Sequence, residues 1–278
     1  MKTLISSEDS RYTTKKNTNE SLDSYYLFPG LKIGVIIPAY NEELNIGKTL
    51  EEIPDNISEK FDVIVVDDGS TDKTSEIANR YNITLIKHSQ NKGYGAAVTS
   101  GLNFCKQDKF DVVVILDADG QHAPKYIKDF IKPIVEENVE FVIGNRFNYH
   151  YDMHSLKKLS TRIMTAFYLV FFRRKIKDPT NGYRSLSSKI IKNLELESVY
   201  SISQEMLFKI IPFYKLKQIP IIVRQRNHGE SFIKMRNYLL KIILLFLKFY
   251  IFPKIKKITH KFLSSDFRQR VKKYYLRT

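Results

Sequence analysis

Asp117, Asp119 and Gln121 alternate along the stretch Leu116-Asp117-Ala118-Asp119-Gly120-Gln121-His122. In a locally extended chain, residues two apart point to the same side, so three oxygen-bearing side chains can converge on one point. Hard oxygen donors of this kind suit Mg²⁺ or Mn²⁺, which keep positions open for the phosphates of a substrate. His122 reads as a structural neighbour, since such sites prefer oxygen to imidazole. Taken alone, the pair also fits an acidic turn at a strand end, because the chain has 30 acidic residues.

Three more polar clusters stand in comparable places: Pro38-Ala39-Tyr40-Asn41-Glu42, Asp67-Asp68-Gly69-Ser70-Thr71-Asp72, and Gly144-Asn145-Arg146. Each follows a short apolar run. The run over 112–116 is continuously apolar and rich in valine, as expected of a strand buried on both faces of a parallel sheet. The patterning predicts strands over 33–37, 61–66, 83–86, 112–116 and 141–143. Helices are predicted over 42–53, 73–81, 95–104 and 125–137. This alternation argues for a mostly parallel, doubly wound α/β sheet. Ligands of such sheets bind outside the carboxyl ends of the strands, where all four clusters would meet. Turn chemistry explains any one cluster, but not its recurrence at four strand ends.

The chain has 278 residues and 43% apolar content, enough for one large α/β domain with an appendage. Its single cysteine, Cys105, excludes an intramolecular disulfide and reads as a small core residue. Residues 1–31 are polar and read as a disordered lead-in without a signal-peptide pattern. The formal charge is +15, and thirteen of the Lys and Arg residues lie from Phe232 onward against the single acid Asp266. The basic character therefore belongs to the tail.

The PAYNE and DDGSTD clusters, Asn91-Lys92-Gly93-Tyr94-Gly95-Ala96-Ala97 and DADGQH together resemble, in order and spacing, the family 2 glycosyltransferases of the GT-A fold. Asp178-Pro179-Thr180-Asn181-Gly182-Tyr183-Arg184 and Arg226-Asn227-His228-Gly229-Glu230-Ser231 narrow the likeness to the dolichyl-phosphate mannosyltransferase-like branch, over roughly residues 32–234. That branch commonly has Lys directly after its Gly-x-Ser triplet. Here the position is Phe232, with Lys234 two residues on. The absence of Trp excludes the Gln-x-x-Arg-Trp motif of processive polysaccharide synthases.

The resemblance implies a metal-dependent, inverting transfer of a hexose-type sugar from a nucleotide-sugar to a polyprenyl phosphate. It assigns Pro38, Tyr40, Glu42, Val66 and Asp68 to the nucleoside. Asp117, Ala118 and Asp119 go to the diphosphate, with Asp117, Asp119 and Gln121 around Mg²⁺ or Mn²⁺. Arg146, Arg162 and Arg226 match arginines that bind the acceptor phosphate, a role suited to guanidinium. Asp119 and Arg146 are the expected catalytic residues. A phosphate acceptor is already anionic, whereas a saccharide hydroxyl needs a base. Glu205 is the candidate base for that alternative, and otherwise lies on the exposed side of a helix over 202–211.

The catalytic domain is expected over 32–231, followed by an appendage over 232–278. Residues 238–252 form the most apolar stretch, about 22 Å long as a helix and short of the ~30 Å hydrocarbon core. Lys234, Lys241 and Lys248 recur every seven residues, leaving the opposite surface apolar. Such a helix either lies in a membrane interface or packs on the domain. The basic run over 254–277 favours an anionic membrane surface, and residues 163–172, closed by Arg173-Arg174-Lys175, offer a second one. A peripheral place on the cytoplasmic face of a membrane is expected, with a membrane-anchoring subunit or an oligomer as possible partners. Nucleic acid is not an expected partner: the basic residues are interleaved with apolar runs and no nucleic-acid-binding motif is present.

Overall fold

The computed structural model describes residues 28, 30–53, 61–148, 155–198, 201–224 and 246–251. The chain divides into Met1–Leu31 and Lys32–Thr278, and the architecture below is that of the second unit. Its elements are β1 (Ile33–Ala39), α1 (Ile46–Glu51), β2 (Phe61–Asp67), α2 (Thr74–Ala78), β3 (Thr84–Lys87), α3 (Tyr94–Gln107) and β4 (Val112–Ile115). There follow α4 (Ile127–Glu136), β5 (Phe141–Asn145), α5 (Ser155–Phe172), β6 (Arg184–Ser187), α6 (Ser188–Asn193), α7 (Ile202–Ile210) and β7 (Leu216–Pro220).

The seven strands form one sheet in the order β3-β2-β1-β4-β6-β5-β7. All neighbours are parallel except β6, which runs antiparallel to both β4 and β5. The mostly parallel α/β sheet expected of a GT-A fold is therefore present. Both β1 and β4 are buried along their whole length, which is why they read as unbroken apolar runs. The chain steps from β1 outward to β2 and β3, then crosses back to lay β4 on the other side of β1. That reversal opens a crevice between the carboxyl ends of β1 and β4, the general ligand position of open α/β sheets.

Helix α3 approaches the sheet closely because Gly101 faces Ile36; a Cβ there would stand 2.7 Å from Ile36 Cγ2. Cys105 is buried in the same layer, and burial pushes its thiol up to about 12. It is a core residue, as its surroundings in the sequence suggest. The far face of β6 is closed by α4, where the Ser185 hydroxyl donates to the Phe130 carbonyl at 2.6 Å.

The first helix is shorter than its pattern predicts. Residues 42–45 form a turn, and Asn41 adopts a left-handed φ of 54°. Their backbone N–H groups are taken by side chains of the β2–α2 loop: Asn41 donates to Ser70 Oγ at 2.9 Å, Glu42 to Thr74 Oγ1 at 2.8 Å and Glu43 to Asp72 Oδ2 at 3.0 Å. In return, Thr71 N–H donates to Asn41 Oδ1 at 2.9 Å. Side-chain bonds to the backbone thus displace a turn of helix and stitch two strand-end loops together.

Candidate active site

The site is assembled from loops that follow β1, β2, β3 and β4, together with the loop that precedes β6. Pro38 and Val66 are register partners across β1 and β2, and both are buried. Proline is tolerated there because the β1–β4 ladder ends at Ile36. Tyr40 and Glu42 are half-buried beside them, with Glu42 Oε2 accepting from Asn45 Nδ2 at 2.7 Å.

Asp68 is buried and heavily engaged. Its Oδ1 accepts from Lys92 N–H at 2.9 Å, its Oδ2 from Gly93 N–H at 2.7 Å, and His88 Nδ1 lies 2.6 Å from Oδ1. His88 Nε2 in turn meets Ser100 Oγ at 2.9 Å. Asp68 therefore brackets the start of α3, a task its place in DDGSTD does not disclose. Gly69 is required beside it: its φ is +73°, and a Cβ would come within 2.4 Å of the Gln90 carbonyl carbon.

Asp117 leaves the end of β4 with its side chain 30% exposed. Its Oδ1 accepts from the Tyr94 hydroxyl at 2.9 Å, and its own N–H donates to His122 Nδ1 at 3.2 Å. Gly182 lies against the other side: a Cβ there would be 2.9 Å from Asp117 Oδ2. Burial of the Tyr94 hydroxyl, and then the Asp117 charge, raise the tyrosine pKa well above its ordinary value, although 38% of the residue is exposed. The Ala118 carbonyl accepts from Thr49 Oγ1 at 3.1 Å. Asp119 Oδ1 accepts from Gln121 N–H at 3.1 Å across a turn in which Gly120 has a φ of +74°. Gln121 Nε2 donates to the Arg224 carbonyl at 3.3 Å, and Arg224 N–H donates back to the Gln121 carbonyl at 3.1 Å. The segment after β7 thus runs along this loop, with Arg224 anchored on Glu52 at 2.6 Å. His122 is buried against Tyr183, as its structural reading implies.

Arg146 is buried, with Nε 2.7 Å from Asp178 Oδ2 and Nη2 2.8 Å from Asp178 Oδ1; Nη2 also donates to Thr180 Oγ1 at 2.9 Å. Burial opposes ionisation of Asp178, but the Arg146 hydrogen bonds and charge outweigh it and hold the carboxyl below its ordinary range. The 178–184 loop is fixed further by Arg184, whose guanidinium is buried and donates to the carbonyls of Asn181, Ser203 and Pro179. Arg162 is exposed on α5, apart from this network, and Arg226 lies outside the described residues.

Glu205 departs from the exposed reading. It lies on α7 but is fully buried, accepts backbone N–H bonds from Glu197 and Ser198, and pairs with Lys209 at 2.7 Å. Its oxygens hold the loop before α7. The exposed reading failed because helical periodicity alone does not reveal that a neighbouring loop covers that face.

Among the described residues, no group of three or more His, Cys, Asp or Glu side chains is gathered for a metal ion. Sequence reasoning missed Tyr94, Gly182 and Asp178 as neighbours of the predicted carboxylate and arginine. All three stand in motifs quoted above, but their contacts cross 23 or more positions.

A switch-point crevice lined by acidic strand ends, on a sheet with one antiparallel insertion, is the arrangement of a GT-A fold. Residues 34–194 match the model of glycosyl transferase family 2, and the chain belongs to that family of sugar-transferring enzymes. It is 30% identical over 217 residues to a dolichol-phosphate mannosyltransferase of Pyrococcus furiosus, covering 73% of this chain and 60% of that protein. It is 32% identical over 184 residues to a UDP-N-acetylglucosamine–dolichyl-phosphate N-acetylglucosaminyltransferase of Methanococcus voltae, covering 58% of this chain and 72% of that one. Among solved structures, glucosyl-3-phosphoglycerate synthase of Mycobacterium tuberculosis with Mn²⁺, UDP-glucose and glycerol 3-phosphate superposes with a TM-score of 0.66 at 20% identity, covering 86% of this chain and 87% of that one.

Proposed function

We propose that this enzyme moves a hexose-type sugar from a nucleotide-sugar such as GDP-mannose or UDP-glucose to dolichyl or undecaprenyl phosphate. The observation that carries the reading is the carboxylate pair of the β4 loop at the crevice, in a chain whose relatives are named for dolichyl-phosphate acceptors. Pro38, Tyr40, Glu42 and Val66 receive the nucleoside, and Asp68 acts there mainly by holding residues 88–93 in place.

The donor set fits a hard divalent cation. Asp117 and Asp119 supply carboxylate oxygens and Gln121 a neutral one, and two carboxylates completed by substrate phosphates are a usual Mg²⁺ arrangement. Such a cation supplies charge neutralisation to the departing diphosphate. Asp119 holds its carboxylate toward that position with help from Gln121 N–H.

In the inverting, single-displacement path, an oxygen of the acceptor phosphate attacks the anomeric carbon as the bond to the nucleoside diphosphate breaks, and the diphosphate leaves with both electrons. The acceptor is already ionised, so no general base is required. The locked carboxylate of Glu205 supports this acceptor over a saccharide hydroxyl. The Arg146 guanidinium, oriented by Asp178, is assigned to the acceptor phosphate together with Arg162 and Arg226.

The proposed organisation is a catalytic domain over 32–231 and an appendage over 232–278. The enzyme sits peripherally on the cytoplasmic face of a membrane, alone, as an oligomer or on an anchoring subunit. Leu159, Ile163, Leu169 and Val170 of α5 are each about half exposed or more, and exposed Arg173, Arg174 and Lys175 follow. Among the described residues, no helix is long and apolar enough to cross a membrane. Phe246 packs on the domain, with ring centroids 4.7 Å from those of Phe167 and Phe171. The test is a panel of nucleotide-sugars with polyprenyl phosphate, with and without EDTA. One donor should give an organic-phase product that chelation abolishes and Mn²⁺ restores; no such product with any donor would overturn the reading.

A further inference from the structure

We infer that Tyr94 is a positioning residue for Asp117, setting the carboxylate that receives the cation and diphosphate. The inference rests on the reading of Asp117 as a diphosphate carboxylate. Asp117 stands at the mouth of the crevice with its side chain 30% exposed, so packing alone does not fix its rotamer. Two groups do. The Tyr94 hydroxyl donates to Oδ1 at 2.9 Å, and the bare Cα of Gly182 lies against Oδ2, where a methyl group would come within 2.9 Å.

Neither group neutralises the carboxylate. A phenol donates one proton and leaves the negative charge for a cation, whereas lysine at the same place would cancel it. Tyr94 is itself fixed from the nucleoside side. Gly93, directly before it, donates its N–H to Asp68 Oδ2 at 2.7 Å, and the 178–184 loop that presents Gly182 is fastened by Arg184. Loops after β2 and β3 and before β6 thus converge on one carboxylate of the β4 loop. A purely packing role for Tyr94 requires none of this, since 38% of the residue faces solvent.

The test uses the full chain and Mn²⁺ with GDP or UDP. Mn²⁺ is titrated calorimetrically into wild type, Tyr94→Phe, Gly182→Ala and Asp119→Ala, with protein-free titrations subtracted, and the resonance spectrum of bound Mn²⁺ is recorded. Tyr94→Phe keeps the ring and removes only the donor. It should retain the wild-type circular dichroism while Mn²⁺ affinity falls about tenfold or more, as for other groups that orient metal ligands, and the spectrum changes. Gly182→Ala should lower affinity similarly by displacing Asp117 from the opposite side, and it decides the matter if Tyr94→Phe does not fold. Unchanged affinity and spectrum in a folded Tyr94→Phe protein would overturn the inference alone. No Mn²⁺ binding by wild type with either nucleotide would overturn the carboxylate reading and the inference with it.

Discussion

Asp178 illustrates how a single buried residue can serve the proposed site by holding another, Arg146. Its carboxylate is buried and stays ionised because Arg146 lies bidentate on it. A carboxyl held below its unfolded value contributes stability above that value, about 3.9, and the contribution is lost as pH falls through the lower folded value. Wild type should therefore lose thermal stability between about pH 4 and the acid limit more steeply than an Asp178→Asn, Arg146→Met double variant. Asp178→Asn alone should cost about 3–5 kcal/mol near neutrality, because it leaves a buried guanidinium uncompensated. Melting curves across pH on the three proteins test this; parallel curves would mean the pair carries no linkage. Glu205 makes the same point, as a buried acidic residue whose oxygens are committed to the backbone N–H groups of Glu197 and Ser198 and to Lys209.

At the scale of elements, the crevice depends on loops whose backbones approach more closely than side chains allow. Gly69 and Gly120 share almost the same positive φ, +73° and +74°, but differ in surroundings. A Cβ at Gly69 meets the backbone of Gln90 and Asn91, whereas one at Gly120 meets nothing within 4 Å. Gly120→Ala should cost only the conformational penalty of about 1 kcal/mol. Gly69→Ala should cost more, about 2–3 kcal/mol, and also displace the 88–93 loop and weaken donor binding. Denaturant melts and nucleotide titrations on the two variants separate the effects, and equal losses would contradict the geometry. The strands and the order of these loops were legible in the sequence because buried parallel strands read as apolar runs and the loops carry recognisable polar clusters. The antiparallel insertion of β6, the shortened α1 and the burial of Glu205 were not. Each depends on partners far along the chain, such as Ser70 and Thr74 for residues 41 and 42.

The whole molecule joins two surfaces of different chemistry. The crevice is acidic and built on rigid strand ends, while α5 leaves a half-exposed apolar stripe that ends in Arg173, Arg174 and Lys175. In the proposed reading that stripe meets the membrane holding the lipid acceptor. Replacing these three cations by Gln should lower partitioning onto vesicles containing anionic phosphatidylserine by about 1 kcal/mol per charge, while neutral vesicles bind both proteins alike. Flotation assays at low and moderate salt measure it, and equal partitioning of the two proteins would remove α5 from the membrane surface. The charge of the tail was legible from the positions of its Lys and Arg residues. The docking of Phe246 against Phe167 and Phe171 was not, since the same lysine-striped pattern suits both a membrane and the domain's own aromatic cluster.

The central claim, a family 2 glycosyltransferase whose acceptor is a lipid phosphate, is tested most directly by competing acceptors. Purified protein is given its preferred nucleotide-sugar and Mn²⁺ with equal amounts of polyprenyl phosphate, the corresponding polyprenol and a soluble oligosaccharide. The account predicts labelled sugar on the polyprenyl phosphate alone, with a stereochemistry inverted relative to the donor. Transfer to the polyprenol or the oligosaccharide, with the phosphate left unmodified, would contradict it.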